Sequence, residues 1–248
     1  MISEVQGVSE RLRKFVEEAP YERRTIVEFV RSAARGLPAH SRVADIGAGD
    51  SPYRELFDHC EYLTVDWDHS IHSGASGADV VSSANSIGLP DDSVDAALLT
   101  QVLEHVPDPQ AVLLDVHRIL RVNGPLFMTV PLIWELHELP HDYYRYTPMS
   151  LQLLLEQAGF QDVRVEPRND CFTTIAQLMR NAGWAMGRAG DGRDLEREKV
   201  MEALEQLSDS VAALAPLDVN CIMPLGYSAV AHRGPVPARR KKRSGSII

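Results

Sequence analysis

Arg42-Val43-Ala44-Asp45-Ile46-Gly47-Ala48-Gly49-Asp50-Ser51, followed by Thr64-Val65-Asp66-Trp67-Asp68, is the stretch on which the fold turns. It reads as a short apolar strand, a tight Gly-x-Gly turn, and a second strand that ends in an acid. Gly47 and Gly49 have no Cβ, so the turn between them can take backbone angles and approach distances closed to other residues. Asp66 lies 17 residues beyond Gly49, about where nucleotide-binding α/β folds place the carboxylate that grips a ribose diol. The pair of signals predicts a nucleotide-type site rather than an ordinary strand-to-helix turn.

The class of nucleotide follows from what is missing. A dinucleotide fingerprint needs a third glycine for close helix–strand packing, and that position is Pro52. No Gly-Lys-Ser/Thr follows the turn, so it is not a P-loop. Instead the chain resembles the class I S-adenosylmethionine-dependent methyltransferases, in particular the type 11 small-molecule group. Asp45–Ser51 is similar to that family's Asp/Glu-x-Gly-x-Gly-x-Gly motif, with Ser51 in place of the last glycine. Thr64-Val65-Asp66 resembles its second motif, and Ile87-Gly88-Leu89-Pro90-Asp91-Asp92-Ser93-Val94-Asp95 its Leu-Pro-Phe-Pro-Asp-x-Ser-Phe-Asp segment. Val102-Leu103-Glu104-His105-Val106 and Arg118-Ile119-Leu120-Arg121-Val122-Asn123-Gly124-Pro125 complete the series, with Pro125 replacing a glycine. The motifs keep family order and spacing over about residues 40–165.

Alternating strands and helices predict right-handed crossovers and a mainly parallel sheet covered on both faces. Strands are expected near 42–46, 62–65, 79–81, 94–100 and 126–130, with a helix over 109–120 that begins at a proline. One or two helices are expected over 8–35, where Ile26, Val27, Phe29 and Val30 form an apolar stripe. A helix over 150–157 precedes a sixth strand near 162–165, and a seventh is expected near 225–232. The resemblance implies a Rossmann-like α/β fold of seven strands, mostly parallel, with an antiparallel last strand. Residues 1–38 would be an N-terminal helical cap over the pocket, 39–233 the methyltransferase domain, and 234–248 a basic, disordered tail. A helical insertion over about 171–216 would serve as a lid or as a homodimer surface. Met179, Trp184 and Met186 within it read as core at helical spacing rather than as a substrate box.

A chain of 248 residues with 44% hydrophobic and 24% charged residues is ordinary for a globular protein. No apolar run approaches the roughly 18 residues of a membrane span, and Met1-Ile2-Ser3-Glu4 lacks a basic-then-apolar leader pattern. Cys60, Cys171 and Cys221 are odd in number and widely spaced, which fits neither a disulfide framework nor a zinc site and points to a reducing cytoplasm. The net charge is −10, although Arg239-Arg240-Lys241-Lys242-Arg243 contributes +5, leaving −15 on the remainder. So acidic a body repels phosphate backbones and argues against a nucleic-acid acceptor.

The resemblance implies S-adenosyl-L-methionine as cofactor and S-adenosyl-L-homocysteine as product. It places Asp45, Gly47, Ala48 and Gly49 at the methionyl end, Asp66 on the ribose hydroxyls, and Trp67, Ala84 and Asn85 around adenine, with Gln101 near the amino acid head or the sulfonium. Asp91, Asp92 and Asp95 read as turn and cap residues. His105 is the family-like candidate for facing a methyl acceptor. The polar-aromatic run His137-Glu138-Leu139-Pro140-His141-Asp142-Tyr143-Tyr144-Arg145-Tyr146-Thr147 follows the fifth strand, on the ligand edge of the sheet. From it His141 is a second candidate base, since histidine titrates near pH ~6.5. His137, Tyr143, Tyr144 and Arg145 are candidate substrate contacts, with an Arg145–Asp142 pair as the alternative. No metal is expected, because His137 and His141 are spaced i, i+4 but Pro140 lies between them.

The reaction expected is methyl transfer to O or N of a small molecule such as a sugar or secondary metabolite. The alternatives are a non-catalytic cofactor-binding module, hinted at by Ser51 and Pro125, and a protein methyltransferase. A nicotinamide oxidoreductase is disfavoured by Pro52.

Overall fold

A computed structural model describes residues 7–67, 74, 77–187 and 193–235; the basic run 239–243 lies outside them. Seven strands form one sheet in the order β3-β2-β1-β4-β5-β7-β6. They are β1 (Arg42–Ile46), β2 (Glu61–Asp66), β3 (Val80–Val81), β4 (Ala96–Thr100), β5 (Pro125–Pro131), β6 (Phe160–Arg168) and β7 (Gly226–Arg233). β1 pairs in parallel with both β2 and β4, and β4 pairs in parallel with β5. β7 runs antiparallel between β5 and β6. All five residues of β4 are buried, as expected of a central strand covered on both faces.

Chain order reverses between β1 and β4, so a crevice opens beyond their carboxyl ends, where such sheets bind ligands. Parallel pairing fixes what meets there. Ile46 lies opposite Val65 and Thr100 opposite Thr129. The turns after β1, β2, β4 and β5 therefore leave the sheet side by side.

One face is covered by α3 (Pro109–Ile119) and α4 (Pro148–Gln157). Each starts at a proline behind a side-chain cap. Asp108 accepts from the Ala111 amide at 3.0 Å and Thr147 from the Ser150 amide at 3.3 Å. Val112, Leu113, Val116, Leu151 and Leu155 bury against β4, β5 and β7.

The other face is covered by α1 (Glu10–Glu18) and α2 (Pro20–Gly36). Leu12, Val16, Ile26, Val27 and Val30 pack on Val43, Tyr62, Ala96 and Leu98. Only a single 3-10 turn (Arg54–Phe57) joins β1 to β2, and the N-terminal helices occupy the face a crossover helix would take. This corrects their expected role as a cover over the pocket: they stand beneath the sheet, and none of their residues lines the cavity.

Between β6 and β7, α5 (Cys171–Gly187) and α6 (Asp194–Ala212) form the helical insertion. Arg180 joins them, donating to Glu205 and Asp209 at 2.9 Å. Gln177 accepts the backbone amide of Tyr21 at 3.0 Å, anchoring the pair on the start of α2. Met179 and Met186 are half-buried and Trp184 is 52% exposed. None of the three joins the buried core or lines the cavity.

Candidate functional site

The turn after β1 is built by backbone geometry that glycine permits. Gly47 and Gly49 have φ of +71° and +52°, values that favour residues without a Cβ. A Cβ on Gly47 would overlap the side chain of Val102, so the close approach of the turn to the strand β4 exit requires glycine. The Gly47 amide donates to the Val65 carbonyl at 2.8 Å, tying the turn to the end of β2. There Asp66 accepts from the Gly49 amide at 2.7 Å with one oxygen and from the Trp67 amide at 2.8 Å with the other. An ionised carboxylate offers about four lone-pair sites, so both oxygens keep capacity for a ligand diol. Gln101, directly after β4, is a non-glycine residue at φ +55°, backbone strain of the kind that collects at functional sites. Its amide group donates to the Thr129 hydroxyl at 3.0 Å.

A cavity of about 340 Å³ opens over these turns. One half is walled by Gly47, Val65, Asp66, Trp67, Ala84, Asn85 and Gln101, the other by Val102, His105, Val106, Glu138, His141 and Tyr143. Trp67 meets His141 edge-to-face with ring centroids 5.6 Å apart, at the seam between the halves.

In the second half, the Nδ1 of His105 lies 2.7 Å from the His141 carbonyl. A carbonyl only accepts, so that nitrogen carries the proton and Nε2 carries the lone pair. Burial lowers the pKa of this ring. Nε2 faces carboxylates, 3.8 Å from Glu104 Oε1 and 3.9 Å from Glu138 Oε2. The His137 ring stands across it with centroids 4.7 Å apart. Glu104 is fully buried, neither of its oxygens has a hydrogen-bond partner, and burial pushes its pKa up to about 8. Arg145 donates to both oxygens of Asp142 at 2.6 and 2.9 Å and to the carbonyls of Tyr144 and Glu135 at 2.8 Å. That guanidinium holds Asp142 down at about 2, and the pair clasps the whole loop after β5.

A family model described as a methyltransferase domain matches residues 44–128, the segment carrying the glycine turn, Asp66 and the loop after β4. Residues 44–128 thus carry a methyltransferase domain. An uncharacterized methyltransferase of Mycobacterium sp. (strain JLS) is 31% identical over 106 residues, 40% of this chain and 42% of that one. The chain thus matches about two-fifths of that relative's length. Among solved structures, a SAM-dependent methyltransferase from Archaeoglobus fulgidus superposes with a TM-score of 0.55 at 20% identity, over 88% of this chain and 97% of that one. Phosphoethanolamine N-methyltransferase 2 of Haemonchus contortus, solved with S-adenosyl-L-methionine, gives 0.53 at 15% over 93% and 61%. These are likenesses of fold.

The protein brings Gly47, Asp66, Trp67, Ala84, Asn85 and Gln101 to its cavity, and they suit an adenosyl cofactor. The glycine turn leaves room that a Cβ would fill, and Asp66 has acceptor capacity to spare. The expected roles of Asp45, Ala48 and Gly49 are corrected. Asp45 points under the sheet, where its carboxylate accepts from the Tyr62 hydroxyl, and burial pushes its pKa up to about 7. Ala48 is buried, and Gly49 spends its amide on Asp66; none of the three lines the cavity. His105, His141 and Tyr143 do line it. Arg145 and Tyr144 do not, because Arg145 is committed to Asp142 and the Tyr144 hydroxyl donates to the Pro107 carbonyl at 3.0 Å. His137 turns toward Glu104 and His105 instead, a grouping that spacing along the chain does not reveal. Glu138, Val102 and Ser82 also line the cavity and were missed; Glu138, between two histidine candidates, carried the only visible signal.

Proposed function

We propose that the methyltransferase moves the methyl group of S-adenosyl-L-methionine onto an O or N of a small molecule. One observation carries this reading: a single cavity is lined both by Asp66 and Trp67 and by His141 and Tyr143. A bound sulfonium supplies an activated methyl carbon. The protein's task is then to hold an acceptor in line with that carbon at close range. Asp66 accepts the ribose hydroxyls, Trp67 packs on the adenine face, and the Gly47 turn and Gln101 face the methionyl end. The ring of His141 stands at the cavity mouth, its Nδ1 3.2 Å from the Tyr143 hydroxyl. With Nδ1–H donating to the Tyr143 hydroxyl oxygen, Nε2 bears the lone pair that takes the acceptor proton and passes it to solvent. The Nε2 of His105 is turned toward carboxylates, so it does not share that duty. The acidic body favours a small acceptor over a nucleic acid. Cys60, Cys171 and Cys221 are free thiols, which suits a reducing compartment. Among the described residues no helix is long and apolar enough to cross a membrane.

Calorimetric titration with S-adenosylhomocysteine tests the cofactor half. Asp66→Ala removes two hydrogen bonds to a charged group, costing about 3 kcal/mol, or roughly 100-fold in Kd. Release of S-adenosylhomocysteine across a panel of hydroxyl and amine acceptors, with His141→Ala as control, tests the other half. A wild-type protein that binds no S-adenosylhomocysteine ends the proposal.

A further inference from the structure

The loops after β4 and β5 bring together three groups that the methyl-transfer reading leaves unused. One ligand-type atom from each of Glu104, His105 and His137 lies within 4.8 Å of the others. Each histidine has its Nδ1 engaged elsewhere: His105 donates to the His141 carbonyl at 2.7 Å, and His137 to the Glu135 carbonyl at 3.1 Å. Asp142 stands 3.4 Å from that same His137 nitrogen. Both rings are thereby fixed in the tautomer whose Nε2 bears a lone pair. A carbonyl or carboxylate behind a histidine is the usual device that orients a metal-binding imidazole. In front of the rings is Glu104, with no exposed surface and no hydrogen-bond partner on either oxygen. A ring nitrogen from each histidine and the buried carboxylate converge. A buried acceptor in that condition costs free energy unless a cation or proton meets it.

We propose that Glu104, His105 and His137 form a binding site for one divalent first-row transition-metal ion. Two imidazoles and a carboxylate suit Zn²⁺, Fe²⁺ or Co²⁺ better than Mg²⁺ or Ca²⁺, which favour all-oxygen shells. Bonds of about 2.1 Å require ligand atoms roughly 3.0–3.4 Å apart, so the cluster has to draw in by a little over an ångström. His137 sits beside Glu138, a loop residue at φ +50°. Glu138 Oε2, 3.9 Å from His105 Nε2, can add a second carboxylate.

His105 and Glu138 line the cavity, so an open coordination position would face the acceptor half. This function of the ion rests on the methyl-transfer reading above and narrows it to hydroxyl acceptors. A metal-bound hydroxyl is more acidic and held in place. It gives its proton to His141, its oxygen forms the new C–O bond, and the breaking C–S bond leaves its electron pair on sulfur.

Chelator-treated, full-length protein titrated with Co²⁺ tests the site by visible d–d absorption, with Zn²⁺ stoichiometry from equilibrium dialysis. The wild type takes up one ion per chain with low-symmetry Co²⁺ bands. His137→Ala weakens binding by at least the roughly 10–100-fold typical of lesser changes around metal sites, and Glu104→Gln does the same. Should Glu104→Gln fail to fold, as judged by near-UV circular dichroism, His137→Ala decides alone. Absence of saturable Co²⁺ and Zn²⁺ binding, or equal affinity in wild type and His137→Ala, overturns the proposal. S-adenosylhomocysteine titrated into the same samples separates the two readings. Metal uptake without cofactor binding keeps the site and removes its role in methyl transfer; cofactor binding without metal uptake does the reverse.

Discussion

Asp45 is the position where a stability measurement tests the reading of the fold most directly. Its carboxyl is fully buried, one oxygen accepts from Tyr62 and the other has no partner. Burial raises its pKa from 3.8 to about 7, and the neighbouring Asp66 charge adds to the rise. The folded protein therefore keeps a proton here that the unfolded chain has already lost. Its contribution to stability is complete below pH ~4 and falls as pH rises toward about 7. At about 1.4 kcal/mol for each pH unit, the loss across that window is about 4 kcal/mol. Asp45→Asn keeps an acceptor for the Tyr62 hydroxyl and has no proton to lose. Denaturant unfolding from pH 4 to pH 8 should show wild-type stability declining more steeply than that of Asp45→Asn. The gap between the two should widen to a few kcal/mol at pH 8. Glu104, whose pKa is raised to about 8, adds its own decline to both proteins and cancels in the difference. Parallel pH profiles for the two proteins would refute the burial of an uncompensated carboxyl under β1.

Gly47→Val forces a side chain into Val102 and a β-branched residue into positive φ. It should cost at least about 1–3 kcal/mol in stability and abolish S-adenosylhomocysteine binding by calorimetry. Arg145→Ala leaves the buried Asp142 charge without its main partner. Loss of a buried partner of this kind costs about 3 kcal/mol, read as a lower Tm. Because Arg145 touches only the loop after β5, cofactor affinity should hold while KM for an acceptor rises; unchanged Tm and KM would rule out the clasp.

The parts of this protein legible in its sequence are those decided within a few residues. Gly47 and Gly49 announce a left-handed turn because no other residue takes it cheaply. Alternating apolar runs and proline-led helix starts place six strands and α3 to within two residues, while β6 runs three residues past its expected end at 165. Asp66 was readable because a strand-end acid at that distance from a glycine turn has few other uses. The N-terminal helices were visible as an amphipathic pair, yet which sheet face they cover was not. That depended on the short 3-10 link between β1 and β2 leaving one face bare.

Side-chain direction was the other gap. Asp45 stands one residue before the end of β1 and Asp66 at the end of β2, and only pairing geometry sends the first beneath the sheet and the second into the cavity. Arg145 likewise looked equally suited to a substrate anion or to Asp142, three residues away; the folded loop turns both terminal nitrogens of the guanidinium onto its own acceptors.

Local backbone chemistry alone thus specified a glycine turn, a strand-end acid 17 residues beyond it and an alternating α/β chain. Tertiary structure decided what the loops after β4 and β5 do together. Parallel pairing of Thr100 with Thr129 makes both loops leave the sheet at one edge. Glu104, His105 and His137 meet there because of that pairing, which no spacing rule along a single chain encodes.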